Sequence, residues 1–123
     1  MYHDTLTRIR NAQAAKKKTL KAPFSKLDMA ILEVLATRGY LLRATKRGRG
    51  MKKIIEIELP EEPAIRDVKF VSRPSRAIYK PYREIASVKN GYGMAVISTT
   101  KGILTDAQAR KEKVGGKILF EIW

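Results

Sequence analysis

Ser98-Thr99-Thr100-Lys101-Gly102 places three hydroxyls, an ammonium and a glycine at the end of the apolar run Met94-Ala95-Val96-Ile97. Hydroxyls both donate and accept, so they can read phosphates, ribose 2′-hydroxyls and base edges. Lys101 adds charge, and Gly102 lets backbone come close to a ligand. The same five residues also fit a polar turn whose hydroxyls satisfy local backbone. The Gly-x4-Gly-Lys spacing of a phosphate-binding P-loop is absent.

A second group is Ser72-Arg73-Pro74-Ser75-Arg76, followed by Tyr79-Lys80-Pro81-Tyr82-Arg83. Aromatics between cations suit RNA, whose unstacked bases lie on aromatic rings and guanidinium planes. Arg73, Arg76 and Tyr79 are the candidates here. One of Tyr79 and Tyr82 also fits a core position with a polar tip, so one is expected to be partly exposed. A third group is charge. Between Asp4 and Asp28 stand seven bases and no acid: Arg8, Arg10, Lys16, Lys17, Lys18, Lys21 and Lys26. Between Arg43 and Lys53 stand six more, again without an acid. Such runs can track a phosphate backbone, although a single run is more often a solvated face. Asn90-Gly91-Tyr92-Gly93 resembles a nucleotide loop only superficially. It precedes a strand instead of joining strand to helix, and reads as a turn.

The composition agrees. The 123 residues carry 26 Lys and Arg against 12 Asp and Glu, a net charge of +14. Self-repulsion of that size on a small globule is relieved by a polyanion, through neutralisation and counterion release. Nucleic acid is the leading partner and an anionic membrane surface the second. There is no cysteine, which removes disulfides and thiolate chemistry. His3 is the only histidine, so no Ser-His-Asp set or metal cluster can be assembled, and Glu61-Glu62 reads as solvated linker charge. No catalysis, metal, cofactor or small-molecule substrate is expected. No apolar run approaches the ~20 residues of a membrane span, and no signal-peptide pattern opens the chain. The expected location is cytoplasmic.

These groups must be held by elements. With Asp4 as N-cap, residues 5–17 read as a helix bearing Leu6, Ile9, Ala12 and Gln13 on one side. Thr7, Arg8, Asn11 and Lys18 fall on the other, and Lys16 to Lys18 crowd the C-terminus, where the helix dipole favours cations. Pro23 makes residues 19–24 a loop or short edge strand. Ser25 caps a second helix with Leu27, Ile31, Val34 and Leu35 as its core stripe and Gly39 as its stop. Residues 40–45 and 53–59 read as a hairpin around a turn at 47–50, with Ile55, Ile57 and Leu59 on one face and Glu56 and Glu58 on the other. Pro60-Glu61-Glu62-Pro63 marks a boundary. Strands are then expected at 67–71, 77–79 and 94–98, a turn at Asn90-Gly91, a helix from Thr105 or Asp106 to about Lys111, and a strand at 118–123 beyond Gly115-Gly116. The expected fold is α+β, with a helix-helix-hairpin part over residues 1–60 and a β-rich part with one short helix over 65–123.

Four ordered motifs carry a family resemblance over essentially the whole chain. They are Leu6-Thr7-Arg8-Ile9-Arg10-Asn11-Ala12, Ser72-Arg73-Pro74, Gly93 through Arg110 with Ser98-Thr99-Thr100-Lys101-Gly102 at its heart, and Val114-Gly115-Gly116 with terminal Trp123. Together they resemble the bacterial-type family of small-subunit ribosomal protein eight. The resemblance implies two small lobes, an N-terminal one over residues 1–60 and a β-rich RNA-binding one over 65–123, in a structural component of the small ribosomal subunit. It implies primary binding of the central domain of 16S-type ribosomal RNA during assembly, with other small-subunit proteins as neighbours. By position it points to Ser98, Thr99, Thr100 and Lys101 at the RNA minor groove and to Tyr79 near a base or sugar. It points to Arg8, Asn11 and Lys16 to Lys18 against a further RNA segment. The chain begins a few residues inside the family's usual start, so some N-terminal contacts are expected to be missing. The third residue of the loop motif, often Ser, is Thr100. An acid usual after the paired glycines is replaced by Lys117. Two rival readings remain. A general nucleic-acid chaperone would share the charge and lack selectivity. A peripheral membrane protein would need a strongly apolar amphipathic face that this sequence lacks.

Overall fold

The computed structural model describes residues 2–62, 64–73, 75–88 and 92–123. The chain divides into two compact units, Met1–Ile65 and Arg66–Trp123, of α+β class. The turn expected at Asn90-Gly91 lies outside the described residues.

In the first unit, α1 (Tyr2–Ala14), β1 (Thr19–Pro23), α2 (Lys26–Thr37), β2 (Arg43–Arg47) and β3 (Ile54–Glu58) follow in order. The strands form an antiparallel sheet ordered β1-β3-β2. Residues 19–23 are therefore the edge strand of the two alternatives, which suits Pro23, since only an edge tolerates a residue without an N–H. The helices cover one sheet face. Tyr2, Leu6, Ile9 and Ala12 of α1 are buried, as are Ile31, Leu32 and Leu35 of α2 and Ala22, Ile55, Ile57 and Leu59 of the sheet side. Glu56 and Glu58 alternate to the other face, where they pair with Arg47 at 3.2 Å and Arg43 at 2.8 Å.

Several expectations need correction. Helix α1 runs from Tyr2 to Ala14, so Asp4 lies in its first turn and is not its cap. Lys16, Lys17 and Lys18 follow the helix instead of ending it. Lys16 adopts the left-handed conformation (φ 58°), Lys16 N–H donates to Gln13 O at 3.0 Å, and Lys17 N–H donates to Ala12 O at 2.9 Å. This is the Schellman termination that glycine usually makes. Helix α2 is capped by the Ser25 side chain, which accepts from Asp28 N–H, and Gly39 ends it as expected. Its buried stripe, however, is Asp28, Ile31, Leu32 and Leu35; Leu27 and Val34 are not buried. Asp28 is accommodated in that stripe by Thr5 of α1, whose Oγ1 donates to Asp28 Oδ2 at 3.0 Å. Strand β2 starts at Arg43, three residues late, after the buried Leu41, and the turn lies beyond Arg47.

In the second unit, β4 (Val68–Phe70), β5 (Tyr79–Lys80), β6 (Met94–Thr99), β7 (Gly102–Thr105) and β8 (Gly116–Ile122) make one antiparallel sheet. The order is β4-β8-β6-β7, with β5 on the same edge of β8 as β4. Strand β4 is shorter than its expected span, and β8 begins two residues earlier than expected. Strand β7 adds to the expected set, because residues 103–104 fall in no expected element and Thr105 is a candidate helix cap. The short α3 (Asp106–Glu112) is capped by Thr105 in a reciprocal capping box with Gln108. It ends at Lys113, again left-handed (φ 56°), and not at the paired glycines. Ile97, Ala95 and Ile118 form a core with Ala109 of α3 and with Ile85 and Val88.

Candidate nucleic-acid interface

The hydroxyl-rich segment is the tip of the β6–β7 hairpin. Thr99 pairs with Gly102, so Thr100 and Lys101 alone form the loop. Neither has positive φ; that conformation falls on Gly102 (φ 107°), where glycine adopts it without a Cβ penalty. Thr99 serves the turn itself. Its Oγ1 donates to Gly102 O at 2.8 Å and accepts from Lys101 N–H at 3.1 Å. Of the two sequence alternatives, the internal turn thus describes Thr99, while Ser98 and Thr100 make no such turn bonds. Lys101 Nζ lies 3.1 Å from Glu112 Oε2 at the end of α3, so the tip carries its cation beside an acid.

The sheet register brings Tyr79 into line with Ser98, with Lys117 between them. Lys117 of β8 lies opposite Tyr79 of β5 on one side and Ser98 of β6 on the other. Directly opposed residues project to one face. Tyr79, Lys117 and Ser98 therefore form a row, and their chain neighbours Ile97 and Ile118 pair beneath it in the core. Tyr79 is 71 % exposed, while Tyr82 packs against the core, as the sequence expected of one of the two. Gly116 makes the row possible: a Cβ there would run into the carbonyl of Ser98. Lys117 stands out in the sequence only as a departure from a family pattern, and its place in the row is visible only in the register.

Ser72 has no exposed surface and is a positioning hydroxyl. Its Oγ donates to Ile118 O and accepts from Ile78 N–H at 2.9 Å, so it anchors the strand that carries Tyr79. Arg73 and Arg76 exchange backbone hydrogen bonds of 2.9 Å at an exposed turn.

In the first unit, Arg8, Asn11 and Lys17 line an open depression beside α1 and β1, joined by Lys21, which the sequence offers only as part of the basic run. Lys16 and Lys18 line a second hollow with Gln13 and Pro60. Thr7 is turned to its own helix, donating to His3 O at 2.8 Å. Gln13 clamps Ile65 through both ends of its amide, at 2.6 and 3.2 Å, which steadies this end of the helix. Among the described residues there is no group of three or more potential metal ligands, and no helix is long and apolar enough to cross a membrane.

Comparison with known proteins gives the family of the chain. The family model described as Ribosomal protein S8 matches residues 1–123. The chain is similar to a small ribosomal subunit protein uS8 of Zymomonas mobilis, with 44 % identity over 98 % of this chain and 94 % of the relative. It is 47 % identical to the uS8 protein of Neisseria meningitidis, over 94 % of this chain and 91 % of the relative. It is 44 % identical to that of Mycoplasmopsis pulmonis, over 98 % and 93 %. With two α+β units, a hydroxyl-tipped hairpin and a match along its full length, this chain belongs to the ribosomal protein S8 family, a family of structural ribosomal proteins and not of enzymes.

Proposed function

We propose that this small-subunit ribosomal protein binds the central domain of 16S-type ribosomal RNA directly and orders it during assembly. The observation that carries the reading is the Tyr79–Lys117–Ser98 row, set across the sheet next to the hairpin tip that holds Thr100. It offers an exposed ring for a base, a cation for a phosphate, and hydroxyls for 2′-hydroxyls and base edges. An A-form minor groove and an unpaired loop present those groups, whereas the deep A-form major groove excludes side chains. Arg73 and Arg76 border the same unit's surface. Arg8, Asn11, Lys16, Lys17, Lys18 and Thr7 of the first unit supply a second contact, dominated by phosphates. Neighbouring small-subunit proteins are further partners.

Footprinting on small-subunit RNA at moderate salt tests this reading. The protein should protect a compact site in the central domain, and protection should survive an excess of unrelated RNA. A footprint that unrelated RNA removes would favour a general chaperone and defeat the proposal. A Ser98→Ala, Thr99→Ala double variant that protects the RNA normally would defeat the assignment of the tip.

A further inference from the structure

The first unit holds a constellation that neither acid-free run reveals by itself. Phe24 follows edge strand β1, and its N–H donates to Lys53 O at 3.4 Å. Lys46 Nζ lies 4.9 Å from the centroid of its ring, and Lys53 Nζ lies 5.9 Å from it. Two ammonium groups thus converge on one half-buried aromatic ring.

Strand alternation explains why no acid joins them. Phe24 continues the side of Ala22, and Lys53 the side of Ile55, which pairs with both Ala22 and Lys46. Glu56 and Glu58 point the other way, where Arg47 and Arg43 hold them. Among the described residues, Lys46 and Lys53 have no carboxylate partner. The ring's negative face offsets two like charges only in part. Beyond them the hairpin tip adds exposed Arg49 and Lys52 around a fully exposed Met51.

We propose that Phe24, Lys46 and Lys53, with the Arg49–Lys52 tip, form a further RNA subsite that seats a backbone phosphate between the two lysines and a base or ribose against the ring and Met51. An anion between the ammonium groups supplies the missing counter-charge. Apolar surface ringed by cations fits a nucleotide, in which a flat base adjoins a phosphate. The inference rests on the reading that the chain binds ribosomal RNA, and it concerns residues of the first unit, whereas the Ser98–Gly102 tip belongs to the second.

The absence of cysteine allows the test. A Met51→Cys variant of the full chain, carrying a tethered hydroxyl-radical source, is bound to a 16S-type ribosomal RNA transcript. A Lys111→Cys variant on α3 serves as the reference position. Cleavage of one local RNA segment from position 51 is expected. Lys46→Gln with Lys53→Gln should lower the slope of log affinity against log salt by roughly 0.7–0.9 for each phosphate left without its lysine. Phe24→Leu, which keeps the apolar volume, should weaken binding several-fold with the slope unchanged. Cleavage from position 111 with none from position 51, or an unchanged affinity and slope in the double lysine variant, overturns the subsite and leaves the main RNA reading intact. Failure of the unmodified chain to bind the transcript overturns both.

Discussion

Neighbouring hydroxyls in the hairpin tip do different work. Thr99 closes the turn with two hydrogen bonds, whereas Ser98 stands in the cross-strand row beside Lys117. Substitution should separate these roles. Thr99→Ala should destabilise the second unit by about 1 kcal/mol through loss of local hydrogen bonds, and Thr99→Ser should restore most of that, read by urea unfolding. Ser98→Ala should leave the unfolding midpoint nearly unchanged. It should cost on the order of 1–3 kcal/mol in affinity for the cognate RNA if it leaves a polar RNA group unpaired. Equal effects of the two alanine variants on stability would contradict the division. Sequence alone singles out these residues as a group, because three adjacent hydroxyls, a lysine and a glycine close an apolar run. It cannot divide them, since that depends on which oxygen the backbone reaches.

At the scale of elements, the strand ends and helix ends position everything at the tip. Gly116 lies against the Ser98 carbonyl, so Gly116→Ala must push β8 away from β6. The expected cost is about 2–3 kcal/mol, in the range of overpacking, with loss of RNA binding beyond that of Ser98→Ala. The helix ends offer a change of opposite sign. Lys16 and Lys113 occupy left-handed positions where a side chain is strained. Lys113→Gly relieves roughly 1–2 kcal/mol of strain and loses roughly 0.5–1 kcal/mol to unfolded-chain entropy. A net stabilisation of about 0.5–1 kcal/mol should appear in urea unfolding; a destabilised variant would show that the left-handed lysine is not strained. The 3.6-residue pattern places α1 and α2, and alternation places β3, because each element buries one face. Strand β7 escapes such a reading because Gly102-Ile103-Leu104-Thr105 has no polar alternation, and its pairing with β6 comes from the two-residue loop.

At the scale of the molecule, charge acts in two opposed ways. The net charge of +14 repels itself within the folded chain and attracts RNA. Raising salt from 50 to 200 mM should therefore stabilise the free protein modestly while RNA affinity falls by roughly 10³ to 10⁵, if six to ten phosphates are neutralised. Unfolding and binding measured in one buffer series check both signs. A flat salt dependence of binding would show that phosphates do not supply the attraction.

The choice of Thr105 over Asp106 as the cap of α3 came from the structure, while the sequence by itself determined a preference for a polyanion, the α+β composition, the helix cap at Ser25, and the segments that could touch a ligand. These follow from charge, periodicity and local hydrogen bonding, which act over a few residues. Only the tertiary structure decided which of those segments meet. It set Lys117 between Tyr79 and Ser98, placed Glu112 beside Lys101, and brought Lys46 and Lys53 to Phe24. Each of these is a matter of strand register or of a helix end reaching a loop. Register is fixed by the burial of whole faces together, so no single segment of sequence contains it.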